Sequence, residues 1–300
     1  CPVCVTPPNM IDTILDLSQR PGMLIASYGD LLRVPGSRPG DSLISRRAAG
    51  GRVESVYSPM DALRLAEEYP ETEVVFLGVG FETTAPGTAA CVLEAASRKL
   101  KNFSVLCILK RTEPPLRSLI ESEDFAVSGF LCPGHVAAVI GAAGFSFLPN
   151  DYHLPGVVSG FEPGDLLYSI LALTKMLAQG TPGLKNEYTR LVRQDGNHAA
   201  LSLMDKALCP GPSDWRGLGH IPDSGYMLRE KYAPWDAVKK FSLVPADEKT
   251  LPGCCCAQII RGVMRPADCS LFKKVCSPDN PAGPCMVSGE GACAAAYQYG

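Results

Sequence analysis

The chain has 300 residues, of which 46% are hydrophobic and 20% charged, with a formal charge of −3 and a sequence pI near 5.9. Such a chain has ample apolar surface for a buried core and enough length for two or three domains. It lacks the basic field that recruits nucleic acid, and its longest apolar run, 136–148, is too short to span a bilayer and is broken by Gly141 and Gly144.

Thirteen cysteines, an odd number, occur with no visible secretory signal, and the expectation is a reducing, cytoplasmic setting with thiols used for metal or redox chemistry. The chain opens on Cys1-Pro2-Val3-Cys4, a poor place for a natural terminus, so a missing N-terminal piece is expected. A C-x-x-C pair can close a disulfide, and the helix predicted over 10–17 lowers the pKa of a nearby thiol. The alternative, half of a zinc knuckle, finds no second C-x-x-C in the chain.

Strand and helix then alternate. Apolar runs at 22–28, 53–57, 73–79, 103–109, 125–131 and 156–159 read as buried strands. Helical patterns at 42–49, 61–69, 87–100, 115–121, 137–144 and 165–179 lie between or after them. In the last of these, Leu166, Ile170, Leu173 and Met176 recur at helical spacing. The alternation predicts an α/β fold with mostly parallel sheets. From Pro182 it fades: a helix is expected over 185–193, a turn and helix cap at 196–198, a helix at 199–208, and a loop at 215–222.

Three motifs fall at the carboxyl ends of predicted strands, where open α/β sheets bind their ligands: Gly80-Phe81-Glu82-Thr83-Thr84, Pro133-Gly134-His135-Val136 and Gly160-Phe161-Glu162-Pro163. They offer Glu82 and Glu162 as carboxylates, His135 as an imidazole, and glycines that let backbone approach closely. The plainer alternatives are that Thr83 and Thr84 cap the next helix and that Pro133-Gly134 is only a turn. No phosphate-binding loop is present, which disfavours a nucleotide-driven mechanism.

Seven cysteines crowd the tail: Cys254, Cys255, Cys256, Cys269, Cys276, Cys285 and Cys293. Fourteen residues separate Cys254 from Cys269, six separate Cys269 from Cys276, and sixteen separate Cys276 from Cys293. None of these is the tight C-x-x-C of a zinc ribbon, and widely spread thiolates favour an iron–sulfur cluster over zinc without deciding between them. A spare pair beside such a cluster could exchange electrons as a dithiol.

Together, Cys1–Pro7, Gly29–Gly36, the three strand-end motifs, Ile221-Pro222-Asp223-Ser224-Gly225 and Gly283–Ser288 resemble the HypD family of hydrogenase maturation factors, in order and along essentially the whole chain. The resemblance implies two similar α/β domains facing a cleft and a C-terminal iron–sulfur domain. Here these map to 1–70 (the remainder of the first domain), 71–190 and 191–300. It implies a 4Fe–4S cluster on Cys254, Cys269, Cys276 and Cys293, with a redox pair beside it at Cys256 and Cys285 and a second dithiol at Cys1 and Cys4. The implied role is a scaffold on which iron receives cyanide and carbon monoxide ligands, forming the Fe(CN)2CO moiety of nickel–iron hydrogenases. The implied partners are a HypC-type small chaperone and a HypE-type cyanide donor.

On this reading Cys1 or Cys4 would bind the transient iron, while His135, Glu82 and Glu162 would orient its ligands or move protons. The alternatives are a cluster-dependent thiol–disulfide oxidoreductase acting on a protein disulfide, or a zinc-stabilised binding module. Two departures stand out. The family's Cys-Gly-Thr-His motif lies outside this chain, and Cys255 replaces the charged residue usual between its two neighbouring thiols.

Overall fold

The computed structural model describes residues 1–38, 40–244 and 253–300. The first lobe runs α1 (Pro8–Leu17), β1 (Met23–Ser27), α2 (Gly29–Leu32), α3 (Leu43–Ala48), β2 (Val53–Ser55), α4 (Pro59–Glu68), β3 (Glu73–Gly80), α5 (Ala85–Arg98) and β4 (Phe103–Leu109). Its strands form one parallel sheet in the order β2-β1-β3-β4. Alternation along each strand divides the core between the two faces. Val74 and Phe76 pack with Leu24, Ala89 and Phe103 on one side, whereas Val75 and Leu77 pack with Ile14, Ile25 and Leu106 on the other. Helix α4 starts sharply because Ser58 and Asp61 form a capping box and Pro59 fills the first turn. The domain boundary expected at 70/71 falls inside this sheet, since β3 pairs with both β1 and β4.

The second lobe follows with α6 (Glu113–Ile120), β5 (Phe130–Pro133), α7 (Gly134–Ile140), α8 (Phe147–Tyr152), β6 (Gly156–Ser159), α9 (Pro163–Gln179) and β7 (Leu184–Asn186). Its sheet is parallel, in the order β5-β6-β7. The strand expected over 125–131 is displaced to 130–133, because 126–128 are exposed and only β6 pairs with this edge. The helix expected over 137–144 begins at Gly134 and stops at Ile140. Gly141, at φ +86°, there packs its backbone against Gly196, and a 3-10 turn at Ala142–Phe145 follows. Helix α9 does not bury the predicted stripe. Its buried side chains are Ser169 and Ala172, while Leu166 and Ile170 are exposed.

Beyond this lobe the expected helix over 185–193 is replaced by β7 and a turn. Asn197 caps α10 (His198–Ala207), which packs back against α5 of the first lobe. The expected loop at 215–222 lies in an antiparallel ribbon of β8 (Leu208–Trp215) and β9 (Gly219–Leu228). Its prolines obscure the strand pattern, yet a two-stranded ribbon leaves the missing N–H groups facing outward. Gly217 and Gly219, both at positive φ, close the turn between its strands. Arg111 N–H donates to Ser224 O, and Lys110 bridges to Gly225, so the ribbon is fastened to the end of β4. After α11 (Ala237–Lys240), the tail contains the short helices α12 (Cys256–Ile260), α13 (Pro284–Val287) and α14 (Ala292–Tyr299).

Candidate thiol centre

The N-terminal C-x-x-C is a tight turn. Cys4 N–H donates to Cys1 O at 3.1 Å, Thr6 Oγ1 donates to Pro2 O at 2.9 Å, and α1 begins immediately after Pro7. Cys1 is half-buried and Cys4 buried, its thiol 3.8 Å from Pro284 O at the start of α13. Cys4 belongs to the same packed cluster as Cys256, Cys276, Cys285 and Cys293, with Cys1 against its edge. The fold thus joins thiols that lie some 250 residues apart in sequence.

All seven tail cysteines line one small cavity, with Ile259, Leu271, Phe272 and Met286 among its apolar walls. Among the described residues no carboxylate or imidazole lines it. The thiols are unequally placed. Cys285 Sγ lies 3.1 Å from Cys293 Sγ, and Cys256 accepts hydrogen bonds from Cys254 and Cys285, which hold its pKa well below an ordinary thiol's. Cys285 is raised correspondingly, first by its bond to Cys256, and Cys293 is lowered by its bond from Cys285. Cys276 accepts Ala282 N–H at 3.3 Å. Cys255 is half-exposed and hydrogen-bonds with Cys269. Gly283 is required where it stands: a Cβ there would sit 2.5 Å from Cys254 Sγ and 2.8 Å from Cys256 Sγ.

Arg216, within the stretch expected as a loop at 215–222, is a residue whose place at the centre the sequence does not show. It is buried, its Nε donates to Thr6 O at 3.0 Å, and its N–H donates to Val5 O at 2.9 Å. Its positive charge lowers the pKa of Cys4, Cys254 and Cys256. At Cys4 burial outweighs that help and pushes the thiol up to about 12. At Cys256 the hydrogen bonds prevail over burial and hold the thiol low.

The strand-end motifs meet through their aromatic residues. Phe81 stacks on Trp215 with ring centroids 6.1 Å apart and packs against the second lobe's core, which includes Val136. His135 is exposed on α7, its ring 4.2 Å from that of Phe161. The polar groups diverge. Glu82 is buried and takes Thr112 N–H at 2.8 Å and Thr112 Oγ1 at 2.6 Å, while Glu162 is exposed at the N-cap of α9. None of Glu82, His135 and Glu162 hydrogen-bonds another among the described residues. Thr84 stands at the N-cap of α5 without a side-chain capping bond.

A sequence model described as "HypD: Hydrogenase formation hypA family" matches residues 1–300. The chain belongs to the HypD family. It is 44% identical over 307 residues to the hydrogenase maturation factor HypD of Rhizobium leguminosarum bv. viciae, covering all of this chain and 80% of that protein. It is 43% identical over 305 residues to the Rhodobacter capsulatus factor and 42% over 300 residues to that of Escherichia coli K12, again covering all of this chain and 80% of each. A role in hydrogenase maturation follows from that membership. Among the described residues no helix is long and apolar enough to cross a membrane.

Proposed function

We propose that this HypD-family chain is a scaffold for building the Fe(CN)2CO moiety of nickel–iron hydrogenases, acting in the cytoplasm with a HypC-type chaperone and a HypE-type cyanide donor. The observation that carries the reading is the packing of Cys4 into one buried cluster with Cys256, Cys285 and Cys293. That juxtaposition has no use in a protein whose tail is only a structural staple.

The tail suits a 4Fe–4S cluster on Cys254, Cys269, Cys276 and Cys293. All four line one apolar cavity whose donors among the described residues are thiols, and soft thiolates select iron–sulfur or zinc. When bound, the cluster supplies single electrons. The chain's own part is thiol exchange. The Cys256 thiolate attacks a Cys1–Cys4 disulfide, one sulfur leaves as thiolate, and Cys285 resolves the mixed disulfide. Two electrons thereby reach the Cys1/Cys4 pair, which ends as a dithiol able to ligate the iron cargo. His135 and Glu162, both exposed, remain free to contact that cargo or a partner.

Reconstitution of the full chain with its small chaperone, iron, and cyanide and carbonyl sources tests this by infrared spectroscopy. Bands of iron-bound cyanide and carbonyl are expected, and are expected to vanish in the Cys1→Ala/Cys4→Ala protein. Their survival there removes the role given to this pair. The lowered pKa of Cys256 also suits a thiol–disulfide oxidoreductase acting on a protein disulfide. Turnover of such a substrate, with no iron beyond that of the cluster, would select that reading.

A further inference from the structure

Lys110, at the end of β4, is 3% exposed, and its ammonium lies 5.3 Å from the Trp215 ring. Its Nζ donates to Ser213 Oγ and, at 2.7 Å, to Asp214 O. An ammonium has three N–H donors, so one is left over. Among the described residues no carboxylate accepts from it; Asp214 Oδ1 instead pairs with His220 Nδ1 at 2.7 Å. A buried cation without a bonded counter-charge is costly, and proteins ordinarily pair it.

This cation lines a cavity of about 150 Å³, bounded also by Thr6, Asn9, Cys107, Ser213, Asp214 and Tyr226. The volume is that of a cavity able to take a small organic molecule. Asn9 spends its side-chain oxygen on Met10 N–H at 2.8 Å, leaving its amide NH2 as a second donor. Thr6 is committed to Pro2 O, and the Cys107 thiol to Tyr226 O at 3.1 Å. Fixed positive charge, a spare N–H, a second donor and space therefore coincide. We propose that this cavity binds a small monovalent oxyanion of the carboxylate class, with Lys110 as its counter-charge and Asn9 as the second donor. The site is separate from the thiol-lined cavity and does not rest on the scaffold reading.

The one acidic lining residue, Asp214, has its carboxylate paired with His220 and largely exposed rather than bonded to Lys110. Burial holds the Lys110 amine down to about 8, against the opposing influence of Asp214 and then Cys107. Cys107 itself is pushed up to about 12 by burial, with Asp236 and Cys209 adding to the rise, so it stays a neutral thiol. Tyr226, raised chiefly by burial, also stays neutral, and the segment 6–10 contributes no charge.

The test is titration of the full chain with 13C-formate, read by 13C line broadening and by the Nζ resonance of 15N-lysine-labelled protein. Saturable binding with a dissociation constant on the order of millimolar is expected, weakening about tenfold or more in Lys110→Met. It is also expected to weaken in the unsubstituted protein from about pH 7 to about pH 9, as the amine loses its charge. Formate affinity unchanged in Lys110→Met overturns the proposal, as does the absence of saturable binding to the folded protein. Should Lys110→Met fail to fold, Asn9→Leu, at a half-buried position, reads the same cavity. Unchanged affinity in that variant overturns the proposal equally.

Discussion

Among the acidic residues of the strand-end motifs, Glu82 is the one that the fold buries, and both its oxygens are taken by Thr112. Burial raises its pKa, and the bonds from Thr112 only partly offset that. A carboxyl raised in the fold is easier to keep folded when protonated. Stability is therefore greatest below the unfolded pKa and falls as pH rises through the interval up to the folded value. Gln at this position can still accept Thr112 N–H and can donate to Thr112 Oγ1, without burying a charge. Glu82→Gln is therefore expected to hold stability within about 1 kcal/mol at acid pH and to gain on the unsubstituted protein towards neutral pH. Glu82→Ala strands a buried N–H and is expected to lose about 1–3 kcal/mol at either pH. Urea denaturation midpoints at the two pH values measure this. If the Gln variant instead loses hydrogenase-maturing activity while remaining folded, Glu82 moves protons rather than holding Thr112.

At the scale of elements, the second lobe depends on close approach between the start of α7 and the end of β6. A Cβ on Gly134 would collide with Ser159 O and stand 2.6 Å from Tyr188 Cδ1. Gly164, in the first turn of α9, has nothing within 4 Å of the same hypothetical atom. Gly134→Ala is therefore expected to cost about 1–3 kcal/mol through overpacking, whereas Gly164→Ala is expected to be neutral or stabilising by under about 1 kcal/mol. Chemical denaturation of the pair decides it; equal midpoints would mean that α7 can shift without penalty. This junction was legible in the sequence because Gly134 and Gly160 stand just after apolar runs. The strands of the first lobe were legible for the same reason. By contrast, β7 carries only three residues, and β8 and β9 are interrupted by Pro210, Pro212 and Pro222, so neither shows a period-2 apolar signal. Helix α9 illustrates the opposite limit: its period was plain, but which face is buried depends on neighbours that periodicity does not name.

For the whole molecule, the decisive contacts cross the full length of the chain. Cysteine spacing divides the tail into roles only through family resemblance; that Cys4 joins its core, or that Arg216 lies against Thr6 and Val5, is written nowhere locally. The tail's core also has a weakness that predicts its behaviour. Besides cysteines, its buried apolar side chains among the described residues are Ile259, Pro284 and Met286. A segment of this size with so little apolar burial ordinarily needs a metal or cross-links to hold its fold. The first lobe, with two apolar cores, needs neither. Removal of iron and sulfide by anaerobic chelation is therefore expected to abolish amide protection across 253–300, while β1, β3 and β4 stay protected. Hydrogen exchange followed by mass spectrometry reads both regions in one sample. The turn at Cys1–Pro7 should loosen with the tail, because Cys4 packs there and Thr6 O is held by Arg216. Loss confined to 253–300, with 1–7 unaffected, would mean that the two thiol groups are held in place independently. Unchanged protection across 253–300 would mean that apolar packing alone sustains the tail, and the cluster assignment would lose its energetic basis.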